Sequence, residues 1–469
     1  MEFRRFRTDC LCGRTWDNVK LPGLFRNKEF YRSLFTIAVP IMLQNLVNSF
    51  VNMVDTVMIG RLGTTEIAAV GLGNQIFFLY TMVMYGISSG GAIFTAQYWG
   101  KKEIAGIKKY TGICLTISLV TGILFTLLCG YIPELLIGFY SKDPAVIEAG
   151  ASYLKTLSPS FIPFALSFVV MTILRSIEKV RLAMVSTIIA LVINMVLNYL
   201  FIFGVGSIPA MGVAGAALAT VIARFIEMII LVAVSYAKKY PLAGTLRELF
   251  SFDRTMLARF AVIASPVIVN ELLWAFGITM QNFVFARTNT DAIAAFNITG
   301  TVSQLTWVVF IGLGNGASVL VGKKIGEGRE DVAREYASLI IRFAPLVACG
   351  AALILIPVSR LLPFLFNVTP LVIANTNIMF IILSLTYPFR AFNMSMIVGV
   401  CRAGGDTVFC VIYDVIFLWI IALPLAMLSA FVFSAPVWVI YLCFCAEEPF
   451  KVMLGLWRYR SGKWLRNVT

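Results

Sequence analysis

Histidine is absent from all 469 residues. That removes the commonest general base at neutral pH and the commonest metal ligand together. Charge is nearly as scarce. Asp, Glu, Lys and Arg make up 13% of the chain, against about 25% in soluble domains. Apolar residues make up 59%, and the mean hydropathy is +0.87. So few polar groups do not cover a water-facing surface, and lipid must be the solvent for most of the chain. A soluble enzyme, a secreted domain and a nucleic-acid binder are therefore poor fits. Cys10 and Cys12 have no second pair at zinc-ligand spacing. The other seven cysteines fall in or beside apolar runs, where a thiol is a small hydrophobe. No G-x-x-x-x-G-K-[ST] phosphate loop occurs. Neither a catalytic residue nor a cofactor or metal is expected. No cleavable signal peptide is expected either, because the first 33 residues are polar and basic and the apolar run from Leu34 is long enough to stay in a bilayer.

What is present is a series of apolar runs of spanning length, about 20 residues each. Twelve are read, at 34–60, 76–98, 108–130, 153–174, 182–204, 212–236, 258–286, 302–322, 337–358, 376–398, 407–429 and 433–457. The fold class expected is all-α: a polytopic membrane protein with twelve transmembrane helices. The 38 basic residues set its orientation. With the amino terminus inside, alternate loops hold 30 of them and the outside loops only four, Arg61, Lys142, Arg287 and Arg360. Cytoplasmic loops collect Lys and Arg, so both termini are expected in the cytoplasm. The formal charge of +14 then marks topology rather than nucleic acid.

The chain also repeats itself. Residues 40–110, advanced by 226 positions, align without a gap on 266–336, with 14 identities in 71 positions. Pro40 falls on Pro266, Arg61 on Arg287, and Gly86, Gly90 and Gly100 on Gly312, Gly316 and Gly326. Each half holds six spans, so the halves share one orientation and are related by an axis along the membrane normal. The expected organisation is a cytoplasmic segment 1–33, a first lobe 34–236, a linker 237–257 read as an interfacial helix, a second lobe 258–457 and a tail 458–469. The paired glycines are read as points of close helix approach.

Several segments resemble the multidrug and toxic compound extrusion (MATE) family: Pro40-Ile41-Met42-Leu43-Gln44, Val54-Asp55-Thr56-Val57-Met58-Ile59-Gly60, Asn194-Met195-Val196-Leu197-Asn198-Tyr199, Asn270-Glu271-Leu272-Leu273-Trp274 and Arg402-Ala403-Gly404-Gly405-Asp406. The likeness runs from Leu34 to Lys451. It implies an antiporter in the cytoplasmic membrane, exporting organic and often cationic compounds in exchange for Na⁺ or H⁺. Small organic molecules, a monovalent cation and the bilayer are the expected partners, without nucleic acid, and a monomer is expected. A lipid-linked oligosaccharide flippase of the same superfamily is the alternative.

Ionisable groups within spans cost roughly 2.5–3.5 kcal/mol at the helix centre and by default suggest function. Asp55 has Asn48 and Asn52 near its own helical face. An acid sheltered from water takes a proton, Na⁺ or a cationic ligand in mutual exclusion, which is the physical basis of exchange. Its alternative role is packing against polar neighbours. Asn194 and Asn198 are spaced i, i+4, so their amides point one way. They suit either a hard cation, which wants several oxygens, or interhelical hydrogen bonding. The resemblance carries Asp55, Asn194, Asn198 and Thr220 over as the cation site. Glu271, on the seventh span five residues after Pro266, is read as a contact to cation or substrate in the second lobe. Some relatives carry an aspartate on the tenth span, where this chain has Arg390 and no acid. A bridge between Arg390 and Glu271 that opens during the cycle is the expectation. Arg224 with Glu227, and Glu447 and Glu448 with Lys451, are read as neutralising groups, while Asp414 is left open between structure and function.

Overall fold

A computed structural model describes residues 23–25, 27–361 and 368–469. Most of the basic leader, with Cys10 and Cys12, lies outside the described residues. Every regular element among the described residues is helical. The first half comprises α1 (Lys28–Gly60), α2 (Thr64–Lys101), α3 (Ile104–Tyr131), the short α4 (Pro133–Gly138), α5 (Pro144–Leu157), a 3₁₀ turn (Ser158–Ser160), α6 (Phe161–Ser176), α7 (Val180–Phe203) and α8 (Gly212–Ala237). The linker contributes α9 (Leu246–Leu249). The second half comprises α10 (Arg254–Thr288), α11 (Thr290–Gly326), α12 (Glu330–Leu361) and α13 (Pro370–Met394), which runs on as a π-helix (Ser395–Arg402). Next come α14 (Thr407–Val411) and α15 (Leu423–Met427) with π-helical turns between and after them, then α16 (Val437–Cys445) and α17 (Glu447–Ser461).

Eleven helical runs are long and apolar enough to cross a membrane, α5 and α6 forming one of them and the segment from Thr407 to Val432 another. The twelfth crossing is α16 and α17 together, broken at Ala446. Pro449 explains the break: it has no N–H to give to the Cys445 carbonyl, so the helix restarts with Pro449 in its first turn, where that donor is not needed. Two helices start earlier than their apolar runs. α2 begins at Thr64 behind Gly63, and α11 at Thr290, where the Asn289 side chain accepts from the Ala292 N–H. The Asn289 cap sets the start of α11, while α2 starts after Gly63 without a side-chain cap.

The linker corrects one expectation: between the end of α8 at Ala237 and the start of α10 at Arg254 the only helical stretch is the four residues of α9. Thr245 and Glu248 form a reciprocal capping box, and Leu249 rests on Gly112, where an added Cβ would sit 1.8 Å from the Leu249 carbonyl oxygen. Lys108 donates to Glu248 at 2.8 Å, and this hydrogen bond, with the Thr245 N–H, holds the Glu248 carboxyl below its ordinary range.

The apolar packing crosses between the halves. Phe30, Leu34, Ile37, Ala38 and Ile41 of α1 join the core of the second half, while Phe260 and Ala264 of α10 join the core of the first. The crossing is dense because the repeated glycines sit on it. A Cβ at Gly90 would lie 2.6 Å from that of Ala264, and one at Gly312 2.4 Å from Met42. At Gly100 it would meet the Lys323 carbonyl oxygen at 2.1 Å, and at Gly326 that of Gln97 at 1.9 Å. All of these contacts lie on the leading halves of α1 and α10 and the trailing halves of α2 and α11. That is the end of the bundle bearing the most basic loops.

The tail closes over the same seam. Trp464 is fully buried, and Gly404 lies against its carbonyl. Gln97 of α2 accepts from the Val468 N–H at 2.9 Å and donates to the Ala403 and Arg466 carbonyls at 3.2 Å. Asp406 receives Arg458 at 2.7 Å and Arg466 at 3.0 Å. Gly405, at φ +74°, supplies the left-handed turn that brings this aspartate round.

Candidate functional site

A cavity of about 670 Å³ opens among α1, α2, α5, α6, α7 and α8, with Ile311 and Asn315 of α11 closing one wall. Its polar groups fall into two layers along α1. The outer layer holds Asp55, Asn194, Asn198 and Thr220, so the four residues named from the sequence come together. Asn198 Nδ2 donates to Asp55 Oδ1 at 2.7 Å. The Asn194 amide is satisfied at both ends when its nitrogen faces Asp55 Oδ2 at 3.3 Å and its oxygen accepts from Thr220 Oγ1 at 3.3 Å and Thr220 N–H at 3.2 Å. Asn198 Oδ1 is buried and has no hydrogen-bond partner. Among the described residues no Lys or Arg lies within ion-pair distance of Asp55. A carboxylate, an unpaired amide oxygen and a nearby hydroxyl form a set of hard oxygen donors, which suits a small monovalent cation or a proton. Asn48 and Asn52 line the same cavity, as their spacing from Asp55 implied.

The inner layer is a chain of hydrogen bonds. Arg175 Nη2 donates to Gln44 Oε1 at 2.6 Å, Gln44 Nε2 to Thr187 Oγ1 at 2.7 Å, and Thr187 to Glu227 Oε1 at 2.7 Å. Glu227 is neutralised by Arg224 at 2.8 Å, as expected, and the Arg224 guanidinium lies 5.1 Å over the Phe164 ring. Arg175 was counted in the sequence as a loop charge. The repeat sets it one position short of Arg402, which the same count placed in a loop.

In the second half the expected Arg390–Glu271 bridge does not exist. Glu271 pairs with Arg402 at 2.5 Å, and Arg390 pairs with Glu448 at 3.2 Å. Arg390 and Arg402 are twelve residues apart on one helical run, about 18 Å of rise. They therefore serve different depths, and Glu271 lies at the depth of Arg402. The remaining acids are also paired. Lys451 reaches Glu447 at 2.9 Å and Asp414 at 3.3 Å, which gives Asp414 a partner, and Asn270 donates to Asp414 at 3.3 Å. Glu448 thus leaves the group in which the sequence had set it.

These features define a class: a polytopic helical membrane protein of two repeated halves, with a polar cavity holding an acid that has no ion-pair partner among the described residues. The MatE family profile matches residues 40–200 and 266–428, once in each half, and the chain belongs to that family. A Bacillus subtilis protein named uncharacterized transporter YisQ is 24% identical over 434 residues, 92% of this chain and 95% of its own length. The Thermotoga maritima probable multidrug resistance protein NorM is 26% identical over 443 residues, 93% of each. A solved structure described as the outward-facing conformation of a multidrug resistance MATE family transporter shares the fold, with a TM-score of 0.82 at 18% identity over 92% of this chain and 97% of that one.

Proposed function

We propose that this protein is a secondary active efflux transporter, carrying organic, often cationic and lipophilic compounds out of the cell in exchange for Na⁺ or H⁺. Asp55, Asn194, Asn198 and Thr220 bind the coupling ion, and cation and substrate compete for the Asp55 carboxylate. The observation that carries this reading is the environment of Asp55, held by amides and facing a drug-sized cavity with no Lys or Arg within ion-pair distance among the described residues. The names of the relatives support efflux of drugs as the task. Two lobes, 34–236 and 258–457, joined by the linker 237–257, rock about the cavity so that it faces each side in turn. Both termini lie in the cytoplasm and the carrier works as a monomer in the cell membrane. One charge moved through 100 mV supplies about 2.3 kcal/mol, which sustains roughly 50-fold accumulation, so an ion gradient suffices.

The test is efflux of a lipophilic cationic dye from proteoliposomes, with a Na⁺ gradient and a H⁺ gradient imposed separately. One of the two should drive efflux by the parent protein, and Asp55→Asn should abolish that dependence. Efflux by Asp55→Asn that matches the parent at every pH and Na⁺ level would overturn the assignment.

A further inference from the structure

Each half sets an arginine at the end of its fourth span, and the two receive different partners. Arg402 in the second half meets the carboxylate of Glu271 at 2.5 Å. Arg175 in the first half meets only the neutral amide of Gln44, at 2.6 Å. Its Nε is buried with no hydrogen-bond partner. The one carboxylate of that layer, Glu227, is committed to Arg224 and Thr187. A guanidinium carries five donors and a fixed positive charge, and a half-buried cation without an anion is costly. Arg175 nevertheless lines the cavity, beside Tyr85 and Phe168.

We infer that Arg175 is an anion subsite at the inner end of the cavity, taking the carboxylate of an organic substrate in the position that Glu271 fills for Arg402. The layer holds two guanidinium groups, Arg175 and Arg224, to one carboxylate, Glu227; its surplus positive charge matches one singly charged carboxylate, and the Arg175 fork fits the two oxygens. Tyr85 and Phe168 offer ring faces to an aromatic scaffold. The cavity therefore selects zwitterions as well as cations, with the ammonium end toward Asp55 and the carboxylate end toward Arg175. Gln44 and Asp55 are eleven residues apart on α1, about 16 Å of rise, so the charges sit at opposite ends of a drug-sized molecule. This assignment rests on the reading of Asp55 given above.

The experiment compares binding of two probes to the full chain in lipid nanodiscs: an aromatic amine bearing a distal carboxylate, and its methyl ester. The parent protein should bind the zwitterion more tightly than the ester. Arg175→Gln should reduce that preference about tenfold or more, the worth of a charge-assisted hydrogen bond, and Arg175→Lys should keep part of it. Gln44→Glu should reduce it as far as Arg175→Gln, because an internal carboxylate then occupies the subsite while leaving the arginine neutralised and the fold supported. Equal affinity of the parent for both probes, or a preference that survives either Arg175→Gln or Gln44→Glu, would overturn the subsite. Loss of Asp55 dependence for the ester strikes the efflux reading instead, so the two failures are told apart.

Discussion

Both halves place acids and arginines within their spans, yet they treat them differently. In the second half each of Glu271, Asp414, Glu447 and Glu448 has a cationic partner within 3.3 Å. In the first half Asp55 has only amides and Arg175 only a glutamine. A charge paired inside the protein has already met its desolvation cost with a neighbour and gains little from an outside ion. A charge left with neutral neighbours keeps that gain open. Duplication has thus produced one half whose intramembrane acids are all paired and one that, beside the paired Arg224 and Glu227, leaves Asp55 and Arg175 with neutral hydrogen-bond partners facing the cavity.

The sharpest test of that contrast exchanges stability for coupling. Glu271→Ala strands the Arg402 guanidinium and should lower stability by about 3–5 kcal/mol, read as a large fall in melting temperature in detergent. Asp55→Asn should change stability by about 1 kcal/mol or less while removing ion dependence. A Glu271→Ala protein as stable as Asp55→Asn would erase the distinction between the halves. Next in size is Gly326→Val, which drives a side chain into the Gln97 carbonyl across the seam. Overpacking of this kind costs about 1–3 kcal/mol. A cysteine at Ala96, facing Gly322 across the seam, should become reactive to a water-soluble maleimide in a cysteine-depleted background. Unchanged protection would show that the seam yields without opening.

Thr220→Val removes one hydroxyl from the outer layer while leaving Asp55 in place. Cation affinity should fall by a few-fold, the worth of one neutral hydrogen bond, read by titrating transport against the coupling ion. The smallest effect belongs to Glu178→Gln. Glu178 joins the halves by accepting from Lys323 at 2.9 Å and Trp99 at 3.2 Å, but both charged side chains are more than a quarter exposed. The loss should stay within about 1 kcal/mol and shrink with added salt, measured as the ionic-strength dependence of turnover.

The spans and the repeat were legible because lipid demands long apolar runs and a shift of 226 leaves glycines on glycines. The outer layer was legible too, since Asp55 is the one ionisable residue within the first span, Asn194 and Asn198 share a helical face at i, i+4, and the resemblance added Thr220. Partner choice was not. Arg175 and Arg402 lie near helix ends, where counting loop charges assigns them to water, although their side chains turn inward. Arg390 was matched to Glu271 because both were visible as intramembrane charges, and composition alone carries no depth along the membrane. The linker shows the same limit on a local scale. Leu246, Leu249 and Phe250 have the composition of an amphipathic helix, yet the helix that the Thr245 capping box starts runs for only one turn, with Leu249 held against Gly112.

The glycine seam has an energetic consequence of its own. Where Gly100 meets Lys323 and Gly326 meets Gln97, the touching surfaces are helix backbone whose N–H and C=O groups are already bonded within their own helices. At these two points parting strands no polar atom, because the contact is backbone on backbone, whereas the apolar side chains beside them, Phe30, Leu34 and Phe260 among them, lose buried contact. These two contacts are tight but add little free energy, so the bias between joined and parted rests on the apolar side chains of α1 and α10 and on removable polar fasteners, the Glu178–Lys323 pair and the tail bonds to Gln97. Evolution can then reset the preferred posture of the carrier by editing a handful of polar residues without repacking either bundle.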